Sequence, residues 1–114
     1  MQHEQPDCLF VYGTLLPGRE NERVLAPLIG RWERAHVFGR LYPDGIGAAL
    51  GYPVLILDAK GEQVSGQLFF SAALTHYWQI LDAFEGPAYR RQLTTVRRQD
   101  DSTVSAFVYT LRGQ

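Results

Sequence analysis

The chain has 114 residues, a net charge of −1, 46% hydrophobic and 20% charged residues, and a single cysteine. That length suits one domain with a real core, and the composition excludes a disordered polypeptide. The balanced charge argues against a surface built for nucleic acid or an anionic membrane, and a lone Cys8 excludes an internal disulfide framework.

The opening MQHEQPD is polar. Residues 1–7 are expected to form a flexible lead-in without the apolar stretch of a signal peptide. With no run of transmembrane length, a soluble cytoplasmic protein is expected. CLFVY, residues 8–12, reads as a buried strand ended by Gly13. GTLLPG turns the chain, and RENERVLAPL, residues 19–28, carries a short helix that Pro27 limits. RWERAHVFGRL, residues 31–41, reads as a long strand in which Gly39 marks a bulge or a close approach.

YPDGIGAALGYP is a turn-rich loop, expected to be a mobile surface segment able to act as a flap. PVLIL and VSGQLFF are strands separated by the turn residues DAKGEQ. Ser71 is placed to cap the next segment. There Leu74, Tyr77, Trp78, Leu81 and Phe84 recur at three- and four-residue spacing and form one apolar helix face. YRRQLTTVRRQ and VSAFVYTLR close the chain as an antiparallel hairpin around DDST. The order is β-α-β-β-β-α-β-β, which predicts a single α+β domain over 1–114, with one strongly curved sheet and helices at its rim.

Gly45, Gly47 and Gly51 lack the strand-before, helix-after setting of a dinucleotide loop. His3, His36 and His76 are scattered without ligand spacing, so neither a metal nor a cofactor is expected. The Arg90, Arg91, Arg97 and Arg98 run is answered by Asp100 and Asp101 and reads as a solvated hairpin. Cys8 belongs to a buried strand, and no Ser or Thr comes with a His and Asp context, so no nucleophile stands out.

Two stretches carry more chemistry. In VYGTLLPGRE, a buried strand runs into a glycine turn whose successive N–H groups can converge on a carboxylate or an oxyanion. In LDAFEGPAYRR, Glu85 sits at the end of an apolar-faced helix that Gly86 and Pro87 stop. Burial and the negative helix end both disfavour its charge, which suits a group exchanging protons near neutrality; the bland alternative is a solvent-exposed Glu.

VYGTL, GRLY at 39–42, YP at 52–53, LDAFEGPAYRR and AFVY at 106–109 together resemble the gamma-glutamylcyclotransferase-like family. The likeness is strongest to its small bacterial members and to gamma-glutamylamine cyclotransferase. It implies a mixed, mostly antiparallel sheet curled into a small β-barrel with two helices. It implies release of an amine or amino acid from a small-molecule gamma-glutamyl substrate, with 5-oxoproline as the other product. It also implies Glu85 as the acid/base, a substrate cradle at Tyr12, Gly13, Thr14 and Leu15, and site roles for Tyr89, Arg91 and Tyr109. Phe84 stands where many members carry Tyr. A non-catalytic binding or regulatory protein on the same fold, and a hydrolase yielding glutamate, are the alternatives.

Overall fold

The computed structural model describes residues 7–113, so of the polar lead-in expected at 1–7 only Asp7 is described. The strands are β1 (Cys8–Val11), β2 (Arg31–Tyr42), β3 (Val54–Leu57), β4 (Glu62–Phe70), β5 (Tyr89–Arg98) and β6 (Thr103–Leu111). The sheet order is β3-β2-β4-β1-β6-β5, and β2 also pairs with β5. That second pairing closes β2, β4, β1, β6 and β5 into a five-stranded barrel with β3 outside the ring. All pairings are antiparallel except β1 with β6, where Leu9 faces Phe107.

The twelve-residue β2 makes closure possible by dividing one of its edges. Along its other edge it pairs with β4 from Arg31 to Gly39. On the divided edge, Ala35 and His36 meet β5, and 39–42 meet β3. Gly39 lies where the strands come closest: an added Cβ would stand 2.4 Å from the Ile56 carbonyl oxygen. The close approach expected at Gly39 is present.

Strand periodicity sorts the core into two sides. Cys8 and Phe10 of β1, Ala106 and Val108 of β6, and Val37, Leu55, Leu68 and Val96 form one buried cluster drawn from all the strands, the barrel interior. The alternate residues Leu9 and Val11 of β1, with Phe107 and Tyr109 of β6, join Leu15, Leu25, Leu74, Trp78 and Leu81 in a second cluster outside it. β1 is therefore buried on both faces, which explains its unbroken apolar run.

Ser71 caps the helical segment as expected: its Oγ accepts from the Ala73 N–H at 3.2 Å and donates to the Ile29 carbonyl at 2.6 Å. The segment begins as a 3₁₀ turn at Ala72–His76 and continues as α1 (Trp78–Glu85). Leu74, Trp78 and Leu81 are buried, but Phe84, the last member of the apolar stripe, is 40% exposed. The other expected helix is absent, since residues 19–28 form turns and a 3₁₀ turn at Glu22–Val24. Pro27 removes an N–H and disfavours helical backbone at Ala26, and so short a remainder does not offset nucleation. Among the described residues no helix is long and apolar enough to cross a membrane.

Candidate active site

The first wall of the site is the loop that leaves β1. Tyr12 donates through its hydroxyl to the Tyr109 carbonyl at 2.6 Å, pinning the loop to β6. The Gly13 carbonyl accepts from the Leu16 N–H at 3.1 Å and the Thr14 carbonyl from the Asn21 N–H at 2.9 Å. Asn21 also donates through Nδ2 to Thr14 Oγ1 at 3.0 Å. The loop is thus held by its carbonyls. Among the described residues no protein acceptor takes the N–H of Gly13, Thr14 or Leu15.

The opposite wall is the end of α1. Glu85 is its last residue, and Gly86 follows with φ 83° and ψ −178°, a backbone conformation almost confined to glycine. The chain turns there into β5, while the Gly86 N–H remains bonded to the Asp82 carbonyl at 3.1 Å. Glu85 is half-buried, and burial pushes its carboxyl from 4.5 up to about 7. Burial is the cause of the shift.

Between the walls lies a cavity of about 450 Å³. Of the expected site residues, Tyr12, Gly13, Thr14, Leu15, Glu85, Tyr89 and Tyr109 all line it. Tyr89 donates to the Pro53 carbonyl at 2.6 Å and so fastens the 43–53 segment beside the site. Burial, and then the Glu85 charge, push the Tyr89 hydroxyl up to about 12. Burial raises Tyr12 and Tyr109 as well. The three phenols therefore remain neutral, and among these four groups only Glu85 exchanges a proton near pH 7.

Arg91 does not line the cavity. Its Nε donates to Asp82 Oδ1 at 2.9 Å, and its guanidinium lies 4.6 Å from the Trp78 ring centroid and 4.5 Å from that of Phe107. Tyr109 donates to the same Asp82 oxygen at 2.6 Å. Burial opposes ionisation of Asp82, but the bonds from Arg91 and Tyr109 and the Arg91 charge outweigh it and hold its carboxyl below the usual range. Arg91 thus reaches the site through Asp82 and Tyr109.

Asn21, Tyr52, Pro53 and Phe84 line the cavity without having been singled out as site residues. Tyr52 and Pro53 sit in the quoted YP pair, which was the available signal; Asn21 is a polar loop residue with none. Cys8 is an inert packing residue, its thiol pushed up to about 12 by burial. Among the described residues no cluster of His, Cys, Asp or Glu is placed to hold a metal ion.

Known proteins supply the comparison. No curated protein sequence matches the chain. In the crystal structure of YkqA from Bacillus subtilis, the similar region is 26% identical, with a TM-score of 0.71 over 93% of this chain but only 36% of that one. The chain thus spans about a third of YkqA. A crystal structure of an AIG2-like protein from Mus musculus is 26% identical, with a TM-score of 0.70 over 97% of this chain and 80% of that one. A solution structure from Arabidopsis thaliana, 22% identical with a TM-score of 0.69, covers 98% of this chain and 72% of that one and shares the fold. The family described as gamma-glutamyl cyclotransferase, AIG2-like, matches residues 9–114. The chain belongs to this AIG2-like gamma-glutamyl cyclotransferase family, whose small closed barrel it adopts.

Proposed function

We propose that the protein is a gamma-glutamyl cyclotransferase that releases an amine from a gamma-glutamyl amide and forms 5-oxoproline, with Glu85 as the single acid/base. The supporting observation is the pairing, across one cavity, of a carboxyl poised near pH 7 with a loop whose N–H groups have no acceptor among the described residues.

The chemistry follows from that pairing. In a gamma-glutamyl amide the α-ammonium and the side-chain carbonyl belong to one molecule, so a folded pose brings them into five-membered-ring geometry. Orientation of this kind contributes up to roughly 7–11 kcal/mol. Glu85 takes a proton from the α-ammonium, and the freed amine attacks the carbonyl carbon. The N–H groups of Gly13, Thr14 and Leu15 meet the oxyanion that develops. As the intermediate collapses, the ring nitrogen loses its second proton and the departing nitrogen gains both by way of Glu85. The old C–N bond breaks, leaving 5-oxoproline and a protonated amine. Tyr12, Tyr89 and Tyr109 stay neutral and shape the wall, and Asp82 and Arg91 hold Tyr109 in place.

Incubation with a panel of gamma-glutamyl amines and peptides, with 5-oxoproline as the readout, tests the reaction. Appearance of glutamate in its place would point to a hydrolase, and binding without turnover to a carrier on the same fold.

A further inference from the structure

Among the described residues, the lining of the cavity has one charged side chain, Glu85. Two large aromatic groups at the cavity are left unused by the core: Tyr52 is 62% exposed and Phe84 40% exposed. Phe84 is the more telling, because it ends a helical stripe whose earlier members Leu74, Trp78 and Leu81 are buried and Tyr77 half-buried. Apolar rings left exposed beside a cavity offer a ligand in it surface to pack against.

The hydrogen-bond donors point the same way. Tyr12 and Tyr89 spend their hydroxyls on the carbonyls of Tyr109 and Pro53, and Tyr109 spends its own on Asp82. The loop N–H groups, with Thr14 and Asn21, remain, and the glutamyl portion draws on them for its own carboxylate and its developing oxyanion. A second carboxylate, on the departing amine, would enter beside Glu85 with no cation among the described lining residues to balance it. Burying an unpaired charge near a like charge is unfavourable. A flat apolar group loses water against the two rings.

We propose that the departing amine carries an aromatic ring and no carboxylate, and that Tyr52 and Phe84 set this preference by packing against the ring. The inference rests on the cyclotransferase reading above; the bond broken is the amide C–N bond to that aromatic amine.

The test uses gamma-glutamylbenzylamide, gamma-glutamylmethylamide and gamma-glutamylglycine with the full chain, reading 5-oxoproline. The kcat/KM for the benzylamide exceeds that for the glycine conjugate by about tenfold, the upper size of one aromatic contact. Tyr52→Ala and Phe84→Ala, checked for folding by circular dichroism, each narrow the ratio of benzylamide to methylamide turnover. Equal or faster turnover of the glycine conjugate overturns the inference and leaves the cyclotransferase reading standing. An unchanged ratio in both folded variants overturns the role given to the two rings. If none of the three amides yields 5-oxoproline, the cyclotransferase reading itself fails, and this inference with it.

Discussion

The hydroxyl of Tyr109 donates to Oδ1 of Asp82 at 2.6 Å and joins the last strand to α1 one turn before Glu85. Arg91 of β5 reaches the same carboxylate, so two strands fix the helix end that carries the proposed acid/base. The position of Glu85 is a property of this cross-tie as much as of the helix.

Asp82→Ala removes both contacts and leaves the Tyr109 hydroxyl and the Arg91 guanidinium without their acceptor. The loss is about 1–2 kcal/mol, below a fully buried charged bond because the Asp82 side chain is 46% exposed. Asp82→Asn, which keeps an acceptor for Tyr109, recovers part of it. Urea unfolding of the two variants gives the comparison; equal stability of Asp82→Ala and the unaltered protein would show that the tie contributes nothing.

Glu85 makes stability depend on pH in the sense opposite to a paired carboxylate. Its folded value of about 7 stands above its ordinary 4.5, so between these values the folded chain holds a proton that the unfolded chain has lost. The stabilisation relative to high pH is full below the ordinary value and declines as pH rises to about 7, on the order of 1–3 kcal/mol. Glu85→Gln escapes this loss. Its melting temperature therefore exceeds that of the unaltered protein at about pH 8 and shows no advantage at about pH 4.5. A constant difference at both pH values would mean that Glu85 is not held near neutrality by burial.

Gly86→Ala places a Cβ on backbone at φ 83°. Nothing lies within 4 Å of that added atom, so the penalty is purely conformational, about 1–3 kcal/mol. Relief of the strain moves Glu85. Both the melting temperature and 5-oxoproline formation therefore fall, and thermal melts with parallel assays measure the two effects.

Much of this arrangement was legible in the chain. CLFVY showed its strand because a strand buried on both faces is apolar throughout, and Leu74, Trp78 and Leu81 showed theirs as a helix period. The supposed helix at 19–28 failed because Pro27 outweighs the propensity of its neighbours. The division of β2 between β3 and β5 was not legible, since it follows from closure of the whole barrel and leaves no local signature. At the site, Glu85 and residues 12–15 stood out through motif and helix position. Asn21 did not, because a side chain that braces a loop follows no period. Arg91 matched its motif, yet its guanidinium is taken up by Asp82 and two aromatic rings.

The most direct test of Glu85 as acid/base is the rate of 5-oxoproline formation by the unaltered protein and by Glu85→Gln, each shown to be folded, across a pH series. In the unaltered protein kcat/KM climbs with pH through about 7, as the carboxylate that accepts the substrate proton is formed. In Glu85→Gln the rate is lower by about 10²-fold or more and that inflection is gone. A folded Glu85→Gln as active as the unaltered protein, with the same pH dependence, would contradict the assignment.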